Sequence, residues 1–199
     1  MSVVLGNNES DAIRNKLLAQ TSYDFDYQFA KAPDPPNVTA VAGDGQVTLY
    51  WDRSAENTID KYMGNITNGV DLNDFEGYKV YRATDFEFND AYNITDGDGN
   101  PTFLEAYVQN GVKAQWDLID GKSGWHPVDL NGIKFNLGDE TGLVHSYVDN
   151  NVVNGQRYYY AVVSYDYGGD LSNNIIPSDS PMKLRVNPLT GVIALGPNV

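Results

Sequence analysis

The sequence has no cysteine, only two histidines, and 13 basic residues against 27 acidic ones. The missing cysteine excludes disulfides, thiol catalysis and thiolate zinc sites. His126 and His145 stand apart with no cysteine nearby, so neither has the spacing of a metal ligand set. A net charge of -14 repels phosphate backbones and argues against nucleic-acid binding. It suits either simple solubility or the binding of a divalent cation. No apolar run approaches the roughly 20 residues of a membrane span, so no membrane insertion is expected. Met1–Gly6 is too short an apolar patch, without a basic start, to act as a secretion signal. The chain therefore reads either as an internal protein or, the favoured expectation, as a segment of a longer exported one. What is present is ample material for a core, with 41% hydrophobic and 12% aromatic residues.

In chain order, Val3–Leu5 has the character of a strand remnant, and Ser10 is placed to cap a helix between Glu9 and Asp11. Ile13, Leu17 and Leu18 lie among good helix formers. Tyr23/Tyr27 and Phe25/Phe29 keep i,i+4 spacing while also alternating as in a strand. The spacing predicts a helix running to about Phe29, its aromatics docked on a neighbouring surface. Ala32-Pro33-Asp34-Pro35-Pro36 predicts a stiff linker, which separates a lead-in at 1–33 from a main domain at 34–188.

Within that domain, Asn37–Ala42 and Gln46–Trp51 flank Gly43-Asp44-Gly45 as a hairpin, with Val47, Leu49 and Trp51 inward. Residues 53–74 are polar and read as loop. Phe75–Arg82 is the next strand, with Phe75, Tyr78 and Val80 as core candidates. Residues 84–142 interrupt the run of strands, yet Asn110-Gly111 and Asn131-Gly132 each sit between short β-type pieces. Asn-Gly tolerates the positive φ of a type I′ turn, so this insertion is expected to fold as small β elements over the main domain. Leu143–Asp149 and Asn154–Tyr165 supply two more strands, the second rich in aromatic and β-branched residues as a central strand would be. Met182–Val186 is expected to close the domain, leaving 189–199 as an exit linker or edge strand.

Pro35-Pro36 before the first strand, Trp51 in the second, Gly77-Tyr78-Lys79-Val80-Tyr81-Arg82 in the third and Val152-Val153-Asn154-Gly155-Gln156-Arg157-Tyr158 before the sixth occur in a telling order. Over about 34–52, 75–83 and 143–187 the chain resembles a fibronectin type III domain. The resemblance implies a mainly β, immunoglobulin-like β-sandwich. It makes Tyr158 a tyrosine corner whose hydroxyl returns to upstream backbone, with Tyr160, Val162 and Ser164 on the same inward face. The insertion departs from the family and leaves its strand C′ unplaced. A short helix leading into such a domain, with Phe75–Arg82 and Gly142–Asp149, is also similar to segments of large exported bacterial proteins. That similarity implies an extracellular or cell-surface location.

Among candidate ligand motifs, Asp96-Gly97-Asp98-Gly99-Asn100 comes first, because short oxygen-bearing side chains separated by glycine wrap a hard cation. Pro101 replaces the turn glycine and Tyr107 the bidentate glutamate of an EF-hand, so a looser calcium loop and a plain glycine-rich turn pair both stand. Trp116 and Trp125 offer either a stacking platform for sugar rings or buried anchors for the insertion. No Ser/His/Asp set has the context of a nucleophile elbow, and an enzyme is not expected. The first expectation is a non-catalytic extracellular structural or adhesion module that contacts neighbouring domains or like subunits. The alternative is a carbohydrate-binding accessory module that holds a polysaccharide on Trp116 and Trp125, with calcium bound by Asp96, Asp98 and Asn100.

Overall fold

The computed structural model describes residues 9, 12, 13, 16, 20, 23, 29–70, 72–172, 174–182, 184–186, 190 and 193–199. The strand remnant expected at Val3–Leu5 and most of the expected helix lie outside these. Glu9, Ala12, Ile13, Lys16, Gln20 and Tyr23 are helical, whereas Phe29 already is not. The proline segment has no regular secondary structure and is tied to the main domain. Pro33 and Pro36 are buried, the Asp34 N–H donates to Thr58 Oγ1 at 2.9 Å, and Ser164 Oγ donates to the Asp34 carbonyl at 3.0 Å.

The fold is mainly β, made of several small antiparallel sheets. Strands β1 (Val38–Gly43) and β2 (Gln46–Trp51) form the expected hairpin, and β11 (Ser146–Asp149) pairs with the other edge of β2. Strands β3 (Phe75–Ala83) and β12 (Tyr159–Asp166) are long neighbours, and β8 (Gln115–Asp117) pairs with β3. Leu49 and Trp51 from the first sheet meet Tyr78, Val80, Tyr160 and Val162 from the second in one core. Alternation along each strand delivers these side chains to a common face. Tyr78 packs edge-on to Trp51 at 5.8 Å and to Phe75 at 5.1 Å.

Residues 84–142 contain β4 (Asn93–Thr95) with β5 (Pro101–Leu104), β6 (Val108–Gln109) with β7 (Val112–Lys113), β8, and β9 (Trp125–Leu130) with β10 (Ile133–Asn136). At the two Asn-Gly turns, φ is 53° and 81° for Asn110 and Gly111, and 53° and 84° for Asn131 and Gly132. Both residues thus take the left-handed backbone that a type I′ hairpin demands. The insertion covers the second face of the β12-β3-β8 sheet. Phe88 joins Tyr81, Ala83, Ala161 and Val163, while Phe135 and Leu137 join Tyr165. β3 and β12 are consequently buried on both faces, β3 with Glu76 and Lys79 among its buried residues.

Two expectations need correction. Residues 53–74 are not all loop, because Lys61–Ile66 forms helix α1, with the Asp60 carboxylate accepting from Tyr62 N at 2.7 Å and Met63 N at 3.0 Å. The closing strand at 182–186 is present as β13 (Leu184–Val186), but it pairs with β14 (Ile193–Leu195). The seat beside β12 is taken by Ser178–Ser180, through Ser180 N to the Ser164 carbonyl at 2.7 Å, and by Asn198, whose carbonyl accepts from Val162 N at 3.0 Å. Pro177 and Pro181 bracket the first piece, and a residue without an N–H cannot extend the ladder. The end of the chain, expected as an exit linker or an edge strand, holds β14, and Asn198 after it is fully buried.

Candidate functional site

The Asp96–Asn100 loop joins β4 to β5 and closes on itself. One Asp96 carboxylate oxygen accepts from Asp98 N at 3.0 Å and from Asn100 N at 2.9 Å, and Asn100 Nδ2 lies 3.2 Å from the other. This is an Asx-type turn in which one Asp96 oxygen is engaged by two backbone donors and the other by the Asn100 side chain. Among the described residues, no group of three or more acidic or histidine side chains is arranged to hold a metal ion.

The two tryptophans differ in their surroundings. Trp116 lies on β8 and packs against the core, 5.7 Å from the Trp51 ring and 5.5 Å from Tyr147. Trp125 begins β9 and is 61% exposed. Strand β8 can lie against β3 because residue 77 is glycine. A Cβ there would come within 2.3 Å of the Trp116 carbonyl and 2.7 Å of the Tyr165 hydroxyl. His126 is fully buried against Tyr167, its Nδ1 accepting from Val128 N at 3.2 Å. His145 is half-buried and shares the Glu56 carboxylate with the Tyr78 hydroxyl, which lies 3.3 Å from it.

A cleft of about 560 Å³ opens where the end of β3 meets the insertion, lined by Arg82, Thr84, Asp90, Tyr92, Glu105, Tyr107 and Lys113 among others. The Arg82 guanidinium lies 4.0 Å above the Tyr107 ring and binds the buried Asp149 carboxylate at 2.9 Å. Tyr160 donates to the same carboxylate at 2.8 Å, so the arginine is held by the core rather than free to reach out. Lys113 pairs with Glu105 at 3.0 Å, and Tyr92 is 73% exposed. Sequence reading missed this cleft because its residues come from four separate short pieces, none of which forms a motif.

The most unusual chemistry lies beneath the insertion, on the face of β3 opposite the main core. Lys79 is buried, with its Nζ 3.7 Å from the centre of the Phe135 ring and 5.0 Å from that of Tyr165. Desolvation lowers its pKa, and the neighbouring Asp179 partly restores it. The Asp179 carboxylate accepts from Lys79 Nζ at 3.2 Å and from the Tyr81 hydroxyl at 2.7 Å. Nearby, Glu76 is fully buried with no hydrogen-bond partner for either carboxyl oxygen. Burial first, then the Asp120 charge, pushes its pKa up to about 8. Asp117, also buried, accepts from Glu140 N at 2.6 Å and Thr141 N at 2.8 Å. Asp166 is raised as well, by burial and then by Asp74, while Ser178 donates to it through both N and Oγ.

Comparison with protein-family models, with curated proteins and with solved structures finds no match for this chain.

Proposed function

We propose that the chain is a non-catalytic structural module of an exported or cell-surface protein, folded as an elaborated fibronectin type III-like β-sandwich. The strand orders β1-β2-β11 and β12-β3-β8 support the fold reading, with β8 in the seat of strand C′. The observation that carries the functional reading is the burial of β3 and β12 on both faces. Phe88, Phe135 and Leu137 of the insertion are engaged in covering the sheet, and its acidic loop is closed by its own backbone. The exposed features suit assembly. Among the described residues β1 is an edge strand, engaged at its start where Val38 N donates to the Pro197 carbonyl at 2.6 Å, and the exposed stretch from Thr39 to Gly43 can add a strand from a neighbouring domain or a second copy.

A second reading, carbohydrate binding, is favoured by the cleft at Arg82 and Tyr107, by the exposed Tyr92 and by the exposed Trp125. Trp116 is packed on Trp51 and Tyr147, so Trp125 is the more accessible of the two indoles for this reading. One experiment separates the two. The full chain is tested for protease resistance and for binding to a polysaccharide panel, alongside Tyr92→Ala and Trp125→Ala. Resistance without saturable binding supports the structural module. Saturable binding lost in either variant supports the carbohydrate module instead.

A further inference from the structure

We propose that Lys79 and Asp179 are joined by an intramolecular isopeptide bond, an amide between Lys79 Nζ and Asp179 Cγ that staples β3 to the segment following β12. The proposal goes beyond the structural-module reading and does not depend on it. Lys79 and Asp179 are 100 positions apart in the chain, yet the amine touches Asp179 Oδ1 at 3.2 Å. Side-chain exposure is 5% for the lysine and 19% for the aspartate. Asp179 is fixed in place by an antiparallel bridge to Tyr165 and by its neighbour Ser180 on Ser164. Phe135 and Tyr165 wall the amine with aromatic carbon. Two opposite charges in such a place cost much of what their attraction returns, and replacing them by one neutral amide removes that cost. Holding amine and carboxyl together in one fixed geometry also removes the entropy barrier of a bimolecular condensation.

The step balances with no added reagent. Lys79 Nζ first passes a proton to Asp179 Oδ1, leaving a neutral amine beside a neutral acid. Desolvation favours the uncharged amine. The nitrogen lone pair then attacks Cγ and forms the C–N bond. Developing negative charge on Oδ2 meets the hydroxyl of Tyr81, which already donates to that atom at 2.7 Å. A second proton moves from nitrogen to Oδ1, the Cγ–Oδ1 bond breaks, and one water leaves. Oδ2 stays as the amide carbonyl, still accepting from Tyr81. No atom is oxidised or reduced.

The test uses the unaltered 199-residue chain. The expected result is an intact mass below that of the sequence by one water, and a branched tryptic peptide joining Tyr62–Arg82, uncut at Lys79, to Tyr158–Lys183. Asp179→Asn is expected to give the same amide with loss of ammonia instead. Tyr81→Phe is expected to lower the cross-linked fraction severalfold at a fixed early time after folding; an unchanged rate removes Tyr81 from the chemistry. The proposal is overturned if the folded chain keeps its full sequence mass and trypsin cuts after Lys79. It is equally overturned if the lost water maps to a succinimide at Asp44-Gly45, Asp96-Gly97, Asp98-Gly99 or Asp120-Gly121 and no branched peptide is found.

Discussion

The hydroxyl of Tyr158 accepts a hydrogen bond from the backbone N–H of Val153, five residues upstream, at 3.1 Å. This contact ties the turn at 153–156 to the start of β12, while the Tyr158 ring packs against the main core beside Tyr160 at 6.5 Å. Removing the hydroxyl leaves the ring in place and the Val153 N–H without its partner. Tyr158→Phe is therefore expected to cost about 1 kcal/mol in denaturant unfolding, with an unchanged dependence on denaturant. A variant as stable as the parent contradicts a structural role for the corner.

The two tryptophans are expected to behave oppositely. Trp116→Ala removes a ring packed on Trp51 and Tyr147 and should cost about 3 kcal/mol. Trp125→Ala removes an exposed ring and should change stability by less than about 0.5 kcal/mol. Equal losses in thermal or urea unfolding contradict the placement of β8 in the core.

Glu76 gives the stability a sign with pH. Its folded pKa of about 8 lies above its ordinary value of 4.5, so the folded state keeps a proton that the unfolded chain has released between those values. The contribution is fully present below the lower value and is lost as pH rises through the upper one, at a slope of up to about 1.4 kcal/mol per pH unit. Asp166, raised in the same direction, adds a slope of the same sign. Urea midpoints are expected to fall as pH rises from the lower value to the upper, and Glu76→Gln is expected to flatten that fall. A parent protein that gains stability over this range contradicts the assignment.

Calcium is expected to leave the melting temperature unchanged, as is a chelator. The Asp96 carboxylate is already held by Asp98 N and Asn100 N. A rise in melting temperature with calcium that is lost in Asp96→Ala reverses this, because a ligand bound to the folded state raises stability by mass action.

Much of the strand framework was legible because its signals are local. Asn110-Gly111 and Asn131-Gly132 declare their hairpins through backbone conformation alone, and the alternation of Val47, Leu49 and Trp51 declares an inward face. Other elements carry no such local signal. α1 depends on a single cap, Asp60, ahead of six residues that include Gly64 and the β-branched Ile66, so its propensity is weak. β8 is three residues long and is placed by what Gly77 allows on the strand beside it. The pairing of Lys79 with Asp179 spans 100 positions, and no periodicity reports a contact of that range. Trp116 and Trp125 looked alike in sequence because burial is decided by the sheet, not by the residue.

The most direct test of the account is native-state hydrogen exchange on the intact chain, comparing the β9–β10 ladder with the β3–β12 ladder. If the insertion is part of one structural unit, its amides exchange at a free energy close to that of the central sheet, because opening either exposes Phe135, Leu137 and Tyr165 together. If β9 and β10 exchange several kcal/mol more easily than β3 and β12, the insertion is a separable lid of the kind binding sites use, and the structural reading is contradicted.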